Sequence, residues 1–291
     1  YVNLAKAREH RALLEKARET TAEHVRLAEK YAAQGVILEA DVLQARVYLS
    51  QMDDLLTQAA NGAQLAQAAL NFQMGADQTL PRSLADLPPA PPVGGDIDDW
   101  ISAALDQRRD LEAGRLKLEA GRLEEKASRP GFYPEIAVLG NYGLYDDTIF
   151  GSNGHSGSLM AVARINLWGG GSNSAARAAA RHETLGFEAD IRRFEEGVRL
   201  EVQQAWQDLE TARTRQVTAK SALEAATEAM RVRESRFRQG LDKMIDLLDA
   251  ETGLREAEMR EMVARYDVTL NTHRLQYVSG ATLIDTMEDS K

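Results

Sequence analysis

From Ser172 to Gln239 the chain contains no proline, and only Gly186 and Gly197 interrupt the run. Helix-favouring residues fill it. The spacing predicts one helix of nearly 70 residues, roughly 100 Å long at 1.5 Å per residue. An element of that length cannot be folded into one compact globule, so it restricts the fold to extended helical assemblies. An apolar stripe runs along it through Phe187, Ile191, Phe194, Val198, Val202, Ala205, Leu209 and Ala212, three and four residues apart. That is the pattern of a helix packed on one side. Gly240 breaks the run, and 243–278 read as a second helix ended by Gly280.

The same unit occurs twice. Ala33-Gln34-Gly35-Val36 aligns with Arg238-Gln239-Gly240-Leu241, an offset of 240 − 35 = 205 residues. At that offset Asp41-Val42-Leu43-Gln44-Ala45 meets Asp246-Leu247-Leu248-Asp249-Ala250. Upstream, Tyr1, Leu4, Ala7 and Arg8 meet Trp206, Leu209, Ala212 and Arg213. Downstream, Leu70, Phe72, Gly75 and Ala76 meet Leu275, Tyr277, Gly280 and Ala281. No gap is needed from 1–76 to 206–281. The period is far longer than that of a solenoid, so it indicates a duplicated half-protein. In the second half a β-hairpin and a long helical stretch precede the repeat. The expectation is that at least ~70 residues of the first half stand before Tyr1 in the natural chain. Tyr1 itself reads as mid-helix, with no cap before it.

Between the repeats the character changes. Residues 76–95 hold five prolines and read as a linker or a surface-hugging loop. Asp96-Ile97-Asp98-Asp99-Trp100 opens another helix, with acids at the positive end of its dipole, and two helical segments are expected to fill 97–128. Pro130 and Pro134 stop the helix. Residues 135–145 alternate, with Ile136, Val138, Tyr142 and Leu144 on one face and Asn141 on the other. A polar, glycine-rich loop is expected over 146–158. A second alternating run follows at 159–168, with Leu159, Ala161, Ala163, Ile165 and Leu167 on one face and Arg164 and Asn166 on the other. Two strands alone are not stable in water. This hairpin needs pairing partners and a cover for its apolar face, as strands of a membrane β-barrel do.

Composition excludes several classes. Lys and Arg number 35 against 45 Asp and Glu, a formal charge of -10, the wrong sign for a nucleic-acid binder. Cysteine is absent, which removes disulfides, thiolate zinc sites and cysteine nucleophiles. No run of 18 apolar residues marks a transmembrane helix. The histidines at 10, 24, 155, 182 and 273 form no HxxH or HxxxH pair, and are expected as solvated surface residues without a metal. Trp168-Gly169-Gly170-Gly171-Ser172 lies between a strand and a helix but lacks the lysine of a phosphate loop, and reads as a flexible corner. There is no catalytic constellation and no cofactor motif. Asp246 and Asp249 share a helical face, with Asp242 just before them. Such carboxylates can do acid–base work, bind cations, line a narrow aperture, or form a solvated face.

Taken together, these segments resemble the TolC-type outer-membrane efflux protein family. The resemblance rests on Tyr31 to Ala45 and Arg238 to Ala250, which are similar to its two helix-turn-helix tips. Tyr133-Pro134-Glu135-Ile136 and Ile165 to Gly171 are similar to the start and exit of its second β-hairpin. It implies a mainly α fold with a β-hairpin, in which long antiparallel helices form an α-barrel and the strands join a membrane β-barrel. It implies a homotrimer in the outer membrane, with four strands per protomer in a twelve-stranded barrel and a tunnel reaching into the periplasm. The tips would close like an iris and dock on a periplasmic adaptor linked to an inner-membrane pump. In that scheme Asp246, Asp249 and Asp41 form the gate or constriction, and Gly35, Val36, Gly240 and Leu241 the docking tips. Ile136, Val138, Tyr142, Leu144, Ala161, Ala163, Ile165 and Leu167 would face lipid, and Asn141, Arg164 and Asn166 the lumen. Phe237 and Asp242 stand where the best-known member carries a gate Tyr and Arg, a departure that removes those gate bonds. The expected organisation is a first helical hairpin (1–75), a linker with further helices (76–128), a β-hairpin (129–171), a second helical hairpin (172–280) and a tail (281–291). The function implied is a passive exit duct, not an enzyme. The alternatives are a soluble coiled-coil scaffold or the periplasmic adaptor itself.

Overall fold

A computed structural model describes residues 1–85, 87, 91–128, 134–145, 154–165 and 167–281, without the side chains of Leu144 and Tyr145; positions 146–153 of the expected glycine-rich loop lie outside the described residues. Asn166 and the tail from 282 lie outside the described residues. The order of elements is α1 (Val2–Ala33), α2 (Glu39–Gln73), α3 (Ile97–Gln107), α4 (Arg109–Ala127), β1 (Glu135–Tyr145), β2 (Gly154–Arg164), α5 (Ser172–Arg238) and α6 (Met244–Val278). The chain is mainly helical with one β-hairpin, and α5 is a single helix of 67 residues. It divides into two compact units, 1–100 with 201–291, and 101–200.

In the first unit, α1 and α2 run antiparallel. Ion pairs and hydrogen bonds stitch them at successive levels: Glu29 to Arg46 at 2.7 Å, Arg18 to Asp53 at 2.9 Å, and Arg8 to Gln67 at 2.9 Å. The last part of α5 and α6 are likewise antiparallel, because Asp208 and Arg274, one on each arm and both far from the Gly240 turn, meet at 3.1 Å. Within this unit the predicted stripe is buried, with Val202, Ala205 and Leu209 fully so and Ala212 nearly so. At the turn end the two hairpins share one apolar cluster: Val25, Ala28, Val42, Ala45, Met230, Phe237, Met244, Leu247 and Leu248. Farther along, Lys6 pairs with Asp267 at 3.2 Å, and Tyr266 donates to Glu9 at 2.7 Å. Burial and that bond push the Tyr266 hydroxyl up to about 12. The linker stays close to α2: fully buried Asn71 donates to the Leu80 carbonyl at 2.9 Å and accepts from Arg82 at 2.9 Å.

In the second unit, α4 lies close against the first part of α5. A Cβ on Gly114 would meet Ile191 at 2.7 Å, and one on Gly121 would meet Phe187 at 2.9 Å. The two glycines are seven residues apart, so the missing side chains form one groove along the helix. Arg115–Glu195 and Arg122–Glu188, both at 2.9 Å, flank it.

The strands pair antiparallel from Glu135↔Arg164 to Tyr145↔Gly154. This corrects the second strand, expected over 159–168. It begins at Gly154, because Gly154–Ser158 pairs with Asn141–Tyr145, and it ends at Arg164. Ile165 and Leu167 therefore lie beyond the ladder. The residue that would continue β1 opposite Ile165 is Pro134, which has no N–H to give.

Candidate functional site

The two turns are the part of the molecule that the repeat marks out, and their backbones match bond for bond. Gly35 (φ +72°) and Gly240 (φ +71°) both stand in the left-handed region, where a side chain is strained. Gly35 N–H donates to Ala32 and Gly240 N–H to Phe237, each at 2.9 Å. Val36 N–H donates to Tyr31 and Leu241 N–H to Arg236, again at 2.9 Å. These are the paired bonds of a helix C-terminus closed by glycine. The closing glycines repeat the arrangement: Ala76 N–H donates to Asn71 at 2.9 Å and Ala281 N–H to Gln276 at 3.1 Å.

After each turn an aspartate starts the next helix. The Asp41 carboxylate accepts from Leu38 N–H at 3.1 Å, and that of Asp246 from Lys243 N–H at 3.3 Å. This is half of a capping box, since neither leucine nor lysine offers an acceptor in return. Asp41 and Asp246 thus have a local structural task, and the helix dipole favours their charge. Asp249 is exposed one turn further along α6. Val36 is 56% exposed and Leu241 62% exposed, as residues available for contact are.

The side chains around the turns differ. Phe237 is fully buried and packs on Tyr31, ring centroids 5.8 Å apart. Asp242 accepts from Arg236 at 2.9 Å and from Arg233 at 3.1 Å. Burial pushes its carboxyl up, but hydrogen bonds and charge from Arg236 and Arg233 outweigh this and leave it below the ordinary value.

One expectation fails here. His24 is not a solvated surface residue. It is buried, its Nδ1 lies 2.9 Å from Glu251, and fully buried Thr21 also donates to Glu251. The cluster joins α1 to α6 one helical layer behind the apolar core, and Tyr48 bonds Thr252 beside it at 2.8 Å. Sequence reasoning missed it because Glu251 lies 230 residues from Thr21 and 227 from His24. The one available signal was Glu251 on the buried face of α6, four residues after Leu247. Among the described residues no group of three or more His, Asp or Glu is placed to hold a metal, and no helix is long and apolar enough to cross a membrane.

On the hairpin, the register sets Ile136, Val138, Tyr142 and Leu144 on one face with Leu159, Ala161 and Ala163. Asn141 and Arg164 lie on the other. That second face also carries Leu139 and Met160, each 55% exposed, so it is not uniformly polar. Ile136 (74%), Tyr142 (69%) and Leu159 (82%) stand open on the first.

Long helical hairpins, closed by matched turns and joined to a β-hairpin with an uncovered apolar face, define a class of helical-barrel membrane proteins. The chain belongs to the outer membrane efflux protein family, whose model matches residues 100–281, more than half of it. Among curated proteins it is 24% identical to the outer membrane efflux protein BepC of Brucella suis biovar 1, over 99% of this chain and 63% of that one. It is also 24% identical to the outer membrane protein OprJ of Pseudomonas aeruginosa, over 65% of this chain and 40% of that one. The chain thus spans less than two thirds of either relative. Among solved structures, the CmeC outer membrane channel of Campylobacter jejuni shares the fold, with a TM-score of 0.82 at 17% identity over 99% of this chain and 64% of that one.

Proposed function

We propose that this chain is part of a passive outer-membrane exit duct of an efflux or secretion system, with its helical hairpins extending into the periplasm. The observation that carries the reading is the family match, because it spans both the β-hairpin and the whole second helical hairpin. The exposed apolar strand face supports it, since a contiguous uncovered apolar surface marks a membrane or protein contact. A coiled-coil scaffold would have no use for such strands. In this reading the protein is not an enzyme and carries no cofactor. It assembles as a homotrimer and meets a periplasmic adaptor, served by an inner-membrane pump, through Gly35, Val36, Gly240 and Leu241. Ile136, Val138, Tyr142, Leu144, Ala161 and Ala163 face lipid, while Asn141 and Arg164 face the lumen.

Asp246 and Asp249, repeated around a threefold axis, form an acidic constriction that draws in cations, and Asp41 supports the gate from the other tip. The test is planar-bilayer recording of the full-length natural protein, with native mass spectrometry for the oligomer. A trimer with cation-selective conductance is expected. Asp246→Asn with Asp249→Asn is expected to weaken selectivity and divalent-cation block while the trimer persists, because asparagine still offers Lys243 N–H an acceptor. Absence of conductance overturns the duct; unchanged selectivity and block overturn the constriction.

A further inference from the structure

Asp242 has no counterpart in the first turn. Its side chain is 5% exposed. Two half-exposed guanidinium groups roof it, those of Arg233 and Arg236. The two arginines are three residues apart on α5, so they project from one face and converge on a residue beyond the helix end. The positions 205 residues earlier hold Ala28, Tyr31 and Ile37. There the same backbone turn is tethered inward, with Ala28, Tyr31 and Ile37 all packed in the apolar cluster. The second turn is anchored in the same cluster by Phe237 and Met244 on either side of it, and at residue 242 it is tethered in addition by charge, to its own helix.

We infer that Asp242 is a positioning residue of the second tip: its double bond to Arg233 and Arg236 fixes the 239–243 turn and thereby the direction in which Leu241 is presented. Charge-assisted bonds with two donors on one carboxylate give directional hold as well as attraction. The acid's lowered proton affinity agrees with this. A carboxyl with a depressed folded value contributes above its unfolded value, and that contribution fades as pH falls through the folded one. The clamp therefore survives acidification that half-protonates an ordinary aspartate. The first turn holds Ile37 at this position and has no such clamp. That Leu241 serves as a docking contact rests on the duct reading; the clamp itself does not.

Residues 1–291 contain no cysteine, so an introduced one is the sole nitroxide attachment site among them. Full-length protein is labelled at Leu241→Cys or at Val36→Cys, with and without Asp242→Asn. At 241 the label's rotational correlation time is expected to fall roughly twofold or more in Asp242→Asn. The same loosening is expected in the Leu241→Cys protein below the ordinary aspartate range, and in molar salt, which screens half-exposed pairs. Asp242→Glu is expected to restore the pH response. Label mobility at 36 is expected to change in none of these. Equal mobility at 241 with and without Asp242→Asn overturns the inference, as does an equal rise at 36. Loss of pore conductance in the bilayer experiment bears on the duct and leaves this result standing.

Discussion

The turns at Gly35 and Gly240 share the backbone bonds that close them and few of the side chains that surround them. Both reverse the chain through a left-handed glycine and both restart it with a capping aspartate. Around that common frame the first tip places Ala32 and Ile37 where the second places Phe237 and Asp242. A backbone turn is a local solution that duplication copies intact. Side-chain packing depends on what lies opposite, and the two copies face each other rather than face copies of themselves. Phe237 fills the space against Tyr31, so the second hairpin supplies the bulk and the first leaves room for it. Glu251 shows the same divergence. Its counterpart is Arg46, an exposed partner of Glu29 within one hairpin, whereas Glu251 crosses to the other hairpin and is buried.

Removing the filler breaks the comparison most severely. Phe237→Ala is expected to destabilise the first unit by about 3–5 kcal/mol, the cost of a large core cavity. Urea unfolding followed by circular dichroism measures it, and a loss under 1 kcal/mol would show that the cluster collapses around the gap. Glu251→Ala is expected next, at about 1–3 kcal/mol, because it leaves buried Thr21 and His24 without their hydrogen-bond partner. Arg46→Gln at the matched site is expected to change stability by less than about 1 kcal/mol, since that pair is surface-exposed. Similar losses at the two sites would contradict the division between an internal pair and a crossing one.

The turns themselves sharpen the comparison through equality. Gly35→Ala and Gly240→Ala are each expected to cost about 1–2 kcal/mol, since both force a Cβ into the left-handed region with open space around it. A clear inequality in urea midpoints would mean that the packing around the turns, and not the shared backbone, sets their stability. Smallest is the pair Asp41→Ala and Asp246→Ala, at about 0.3–1 kcal/mol each from loss of a first-turn acid. Amide hydrogen exchange at Leu38 and Lys243 reads this directly. Unchanged protection at both amides would remove the capping role.

The sequence by itself determined the elements. Proline and glycine placement bounded the helices that flank the turns, the repeat located both turns, and alternation identified the two strands and their shared face, though not the break at Arg108 between α3 and α4 or the start of β2 at Gly154. These are consequences of local chemistry: a glycine at positive φ, a missing N–H, a period of two or of 3.6. The sequence also placed Asp41 and Asp246 at helix starts, although their hydrogen bonds to Leu38 and Lys243 follow a box motif with the wrong cap residue and were not legible as such. What only the tertiary structure decided were the partnerships across the chain. His24 with Glu251, Phe237 with Tyr31, and the end of β2 at Arg164 opposite Glu135 all depend on which segments lie side by side. No local rule ties residue 24 to residue 251. That proximity exists only once two hairpins have packed, and burial then turns an ordinary polar pair into a bond on which their packing depends.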